Sequence, residues 1–94
     1  MSNPVQGILQ TADDFFAKGE FREASRKYLE VLRIQSDHPV ALHHLGLCCY
    51  RTGSHEQARN LIFQSVSIQQ NNAVAHDHLG VVLVALNDFI HAEA

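Results

Sequence analysis

Gly46 and Gly80 stand 34 residues apart, and much of what surrounds them repeats at the same offset. Leu45 matches Leu79, His44 matches His78, Ala41 matches Ala75, and Ala58 matches Ala92. One step earlier, Ala58 falls on Ala24, Gly53 on Gly19, and Gly46 on the small Ala12. A period of roughly 20–50 residues running through a chain marks one supersecondary unit stacked on copies of itself, because each unit alone leaves an apolar side uncovered. The units are about 5–38, 39–72 and 73–94, the third stopping short, within one domain spanning 1–94.

Each unit reads as two helices. Asn3-Pro4 places a capping residue before a proline at the first helical position, and the first helix runs to about Lys18. Gly19 supplies the left-handed residue that ends it. The second helix covers about Phe21 to Ile34, with Phe21, Ala24, Tyr28, Val31 and Leu32 at helical rather than alternating spacing. Ser36-Asp37-His38-Pro39 breaks the chain, and a third helix runs from about Pro39 to Thr52, ended by Gly53. Ser54 and Gln57 have the form of a capping box for a fourth helix that reaches Ile68 or Gln69. Asn72 is the expected cap of a fifth helix, with Asn87 as its terminator and Asp88 as the cap of a sixth.

A helix–turn–helix repeat of this period resembles the tetratricopeptide (TPR) family. The family pattern is a large residue, then Leu-Gly, then an aromatic, later Ala, a large residue, a small residue and Pro. The second unit fills it with Leu42, Leu45-Gly46, Cys49, Ala58, Ile62, Ser65 and Gln70. The first fills it with Ile8, Thr11-Ala12, Phe15, Ala24, Tyr28, Val31 and Ser36. The third has His76, Leu79-Gly80, Leu83 and Ala92. The final proline is missing from both complete units, and the first lacks Leu-Gly.

The resemblance implies an all-α fold, a short right-handed solenoid of stacked antiparallel helix pairs. It also implies a protein–protein interaction scaffold that binds a peptide or helix of a partner in a concave groove lined by the first helix of each unit. The expected groove residues are Leu9, Asp13 and Phe16 from the first unit, His43, Leu47 and Tyr50 from the second, and Asp77, Val81 and Val84 from the third, with His44 and His78 flanking. Each trio has i, i+4, i+7 spacing and so lies along one helix face. Some TPR domains grip a peptide carboxylate with Lys, Arg and Asn on this surface. Here those positions hold Leu9, Asp13, His44, Val74 and His78, so an apolar helical or extended segment fits better. The competing reading is that another copy of the chain, or further repeats, cover the same residues.

The histidines invite a metal or general-base reading, but the spacing opposes it. His43-His44 and His76-His78 diverge on a helix, whereas two ligands converge at i, i+3 or i, i+4. His38 and His55 are expected at a loop and a helix start, without partners. Cys48 and Cys49 are adjacent and lack Cys-x-x-Cys spacing; Cys49 is expected in the core and Cys48 partly exposed. No phosphate loop, nucleophile elbow or paired carboxylates occur, so neither catalytic residues nor a metal or cofactor are expected. Asp13-Asp14 reads as solvent-facing.

The net charge of −3 gives no electrostatic footprint for nucleic acid. Arg22, Arg26, Lys27 and Arg33 alternate with Glu20, Glu23 and Glu30, as on a solvated helix face. No leader or membrane-length apolar run is visible, so a cytoplasmic location and no membrane partner are expected.

The third unit stops inside its second helix, leaving Leu79, Val82, Leu83 and Leu86 short of cover. Self-association through that stripe is one expectation. The other is that the chain is the N-terminal part of a longer protein. Repeats with such starts look like those fused to glycosyltransferases, where the array recruits protein substrates.

Overall fold

A computed structural model of the chain describes residues 4–69, 74 and 76–84. Four helices follow one another: α1 Pro4–Ala17, α2 Phe21–Ile34, α3 Pro39–Arg51 and α4 His55–Ile68. Residues 76–84 are also helical, and no strand occurs among the described residues. Each helix packs on the next in chain order, α1 on α2, α2 on α3 and α3 on α4. The fold is an all-α helical-repeat solenoid.

The turn inside each helix pair is the same device used twice. Gly19 (φ 79°) and Gly53 (φ 91°) take the left-handed conformation that other residues avoid. The next amide reaches back across the turn: Glu20 N–H donates to the Phe15 carbonyl at 2.9 Å, and Ser54 N–H donates to the Cys49 carbonyl at 2.8 Å. This satisfies carbonyls that the end of a helix would otherwise leave bare.

The helix starts differ from expectation. Ser54 is the N-cap of α4, but its side chain makes no capping hydrogen bond. Its ψ of 66° departs from the extended cap geometry that aims a hydroxyl along the first turn. His38, expected to lack a partner, caps α3: its Nδ1 accepts from the Ala41 N–H at 3.2 Å, and Pro39 follows at the first helical position. The expected caps Asn3 and Asn72, and the Asn87-Asp88 turn with the sixth helix, lie outside the described residues.

Small residues set the spacing between helices. Ala12, Ala24 and Ala58 are fully buried, and Gly46 lies against Ile62 and the Ala58 carbonyl of α4. One core cluster joins Val5 and Ala12 of α1, Ala24, Tyr28 and Val31 of α2, and Ala41, Leu45 and Cys48 of α3. A second joins Ala58, Ile62 and Val66 of α4 to Val82. Cys48 is the fully buried thiol and Cys49 is half-buried, the reverse of the expected order. α3 is covered by α2 on one side and α4 on the other, so more than one stripe of it is interior. For the same reason His43 is buried, 6% exposed. Val82, expected to lack cover, is 1% exposed because α4 covers it; Leu83 is 46% exposed, and Leu86 lies outside the described residues.

Candidate functional site

Two features stand on the face carried by α1, α3 and residues 76–84. The first is a polar network rooted in α1. Tyr28 is fully buried, and a buried phenol needs a hydrogen-bond partner. Its O–H donates to Asp13 Oδ1 at 2.5 Å. His44 Nδ1 lies 3.2 Å from the same carboxylate oxygen and 3.2 Å from the Tyr28 hydroxyl. The tautomer with hydrogen on Nδ1 shares it between those two oxygens. Burial, then the hydrogen bond to Asp13 and its negative charge, push the Tyr28 phenol far above its ordinary range. The His44 ring also stacks on Phe16, with centroids 5.7 Å apart and planes 24° apart. Asp13, expected to face solvent, therefore ties α1 to α2 and α3.

The network continues toward residues 76–84. The His43 and His44 rings have centroids 5.3 Å apart, and His43 Nε2 meets His78 Nδ1 at 2.7 Å. His43 has its pKa lowered to about 4, first by burial and then by repulsion from His44 and His78. Among the described residues, no group of three or more His, Cys, Asp or Glu side chains is placed to hold a metal ion.

The second feature is an open pocket of about 270 Å³ beside this network, lined by Phe16, Leu47, Tyr50, Arg51, His78, Val81 and Val82. Of the expected groove residues it brings together Phe16, Leu47, Tyr50, His78 and Val81. Arg51 and Val82 were not expected there. Leu9 is half-buried and packs on the first core cluster. Asp13, His43 and His44 belong to the polar network. Asp77 and Val84 are exposed and do not line the pocket. Tyr50 also stacks near His55, centroids 5.2 Å apart, so His55 is not the unpartnered ring expected from its place at a helix start.

No family model matches the chain, and no curated protein sequence matches it. Solved structures do. The chain is 30% identical to the Thermobaculum terrenum O-GlcNAc transferase mutant K341M, over 90% of this chain and 17% of that one, with a TM-score of 0.84. It is 20% identical to the MamA RS-1 ArsTM double mutant, over 98% of this chain and 52% of that one, with a TM-score of 0.82. The chain thus spans about a sixth and about half of these two proteins. The likeness agrees with TPR-type helical repeats and with a repeat scaffold for protein interaction.

On the opposite side of α3 lies a wider cavity of about 420 Å³, lined by Ser25, Leu29, Leu45, Cys49, Gln57, Asn60, Leu61 and Gln64. No sequence motif pointed to it, because its walls come from three helices. No helix among the described residues is long and apolar enough to cross a membrane.

Proposed function

We propose that the chain is a TPR domain of three repeats, about 5–38, 39–72 and 73–94, which binds an apolar helical or extended segment of a partner protein. The observation that carries this reading is the pocket on the α1–α3 face. Its apolar walls come from all three units: Phe16 from the first, Leu47 and Tyr50 from the second, Val81 and Val82 from the third. Tyr50 stands one period after Phe16, and Val81 one period after Leu47, so the repeat itself generates the surface. A groove shared by consecutive units suits a segment that lies across them, with side chains as anchors. Tyrosine at such a centre is a common energetic anchor.

The substrate-recruiting role in a larger glycosyltransferase is not favoured. The stretch like the O-GlcNAc transferase is 17% of that chain, and the MamA fold matches about as closely.

Peptides selected from a random displayed library on the immobilised chain give the test, with affinities read by fluorescence polarisation. Tyr50→Ala and Val81→Glu are each expected to weaken the selected peptides at least tenfold, a loss of about 1.4 kcal/mol or more. Peptides that bind both variants as tightly as the native chain sink the groove assignment.

A further inference from the structure

The pocket has two facing walls. Residues 76–84 supply His78, Val81 and Val82, and α3 supplies Leu47, Tyr50 and Arg51. Val82 holds the first wall from behind, packed with Ala58, Ile62 and Val66. Between residues 76–84 and α3 themselves runs a polar tie, the 2.7 Å contact of His43 Nε2 with His78 Nδ1. A hydrogen bond between two imidazoles needs one nitrogen with hydrogen and one bare lone pair. Two imidazolium ions offer no bare nitrogen, and their charges repel at this distance.

We infer that His43 and His78 form a proton-sensitive latch: it holds residues 76–84 against α3 while at least one ring is neutral, and frees that wall of the pocket when both are charged. The consequence for partner binding rests on the groove reading above; the latch itself does not.

The surroundings make the device asymmetric. His43 is buried, so water cannot solvate its charge. His44, beside it on α3, adds a further titratable ring rather than a counter-ion. From α1, Asp13 is engaged by Tyr28 and His44. From α2, Tyr28 bonds to the same two residues. On α4, His55 packs against Tyr50. Arg51 on α3 adds positive charge at the pocket. On residues 76–84, His76 and Asp77 are exposed, where salt and water screen them. No carboxylate among the described residues is hydrogen-bonded to either ring of the latch.

The sign follows from the depressed His43 pKa. Of the causes that lower the His43 pKa to about 4, the repulsion from His78 goes when residues 76–84 are free, while His44 and the cover of α2 and α4 stay, so charging the His43 ring disfavours the docked wall. Docking is therefore at full strength above about pH 6.5 and weakens as pH falls.

Amide hydrogen exchange of the whole chain, read by mass spectrometry at pH 7.5 and 4.5 and corrected for intrinsic rates, tests the latch without any partner. Residues 76–84 are expected to lose severalfold more protection than α1 and α2. His78→Gln keeps a neutral hydrogen-bonding group, and its acid-induced loss is expected to be smaller than that of the native chain. Equal protection of 76–84 at both pH values overturns the latch. So does an equal acid response in His78→Gln, or loss of protection in α1 and α2 at the same pH as in 76–84. Selected peptides that ignore Tyr50→Ala and Val81→Glu at pH 7.5 would remove the groove and leave the exchange result standing. Flat exchange would remove the latch and leave the groove.

Discussion

A Cβ placed on Gly46 meets Cγ1 of Ile62 at 2.5 Å and the Ala58 carbonyl oxygen at 3.2 Å. The glycine of the Leu-Gly pair is thus a packing residue, and the closeness of α3 to α4 depends on its missing side chain.

Gly46→Ala tests this relationship. Alanine gains about 1 kcal/mol of helix propensity over glycine, but overpacking against a fully buried isoleucine and a backbone carbonyl costs about 1–3 kcal/mol. Because the 2.5 Å contact is with Cγ1 rather than the free end of the Ile62 side chain, overpacking outweighs the propensity gain and a net loss of up to about 2 kcal/mol is expected in urea unfolding. Gly7→Ala is the control: a Cβ there meets nothing within 4 Å, so only the propensity gain of about 0.5–1 kcal/mol remains. Equal stability of Gly46→Ala and the native chain would show that the helices move apart freely.

The helix pairs were legible because the signals that make them are local. Gly19 and Gly53 mark both turns, and the spacing from Phe21 to Leu32 marks α2. α3 was harder to read. Its neighbours bury Ala41, Leu42, His43, Leu45, Gly46 and Cys48, so one apolar stripe cannot describe it. That is why His43 reads as groove-facing and Cys48 as exposed in the sequence. The Asp13–Tyr28–His44 network joins three helices and leaves no spacing signal. A hint was present all the same. Tyr28 occupies a core position, a buried phenol demands an acceptor, and Asp13 lies on the helix just across the Gly19 turn.

Tyr28→Phe removes the hydroxyl and keeps the ring. Hydrogen bonds to charged groups contribute about 1.5–3 kcal/mol, and the half-exposed Asp13 carboxylate can recover part of this from water, so a loss of about 1–2 kcal/mol is expected. Asp13→Ala, which removes the acceptor, should lose a similar amount. The double variant should lose less than the sum, since both changes break one bond. Fully additive losses in urea unfolding would mean that the bond contributes nothing of its own.

Ser65 ties the far end of α4 to the start of α3, its Oγ donating to the Pro39 carbonyl at 2.8 Å across 26 residues. The side chain is fully buried, so no water replaces the bond when it is removed. Ser65→Ala is expected to cost about 1 kcal/mol, and Ser65→Val about 1–3 kcal/mol from added bulk at a closed site. If alanine is stabilising in thermal melts, the hydroxyl is a polar liability rather than a tie.

Cys48 and Cys49 are neighbours in different environments, and alkylation reads the difference. Burial pushes the Cys48 thiol up to about 11 against the partial opposition of a hydrogen bond from Ser25, and burial also raises Cys49. The ordinary value is 9.0, so at pH 8 the thiolate fraction of Cys48 alone lowers its rate on the order of 100-fold. Closure of the core slows it further, because reagent must wait for an opening of the α2–α3 packing. Cys49 is half-buried and lines the 420 Å³ cavity, so it meets reagent without such an opening. Iodoacetamide at pH 8, followed by peptide mass spectrometry, is expected to label Cys49 first, with both thiols reacting alike in denaturant. Labelling of Cys48 as fast as Cys49 in the folded chain would show that α3 turns the other residue toward the core.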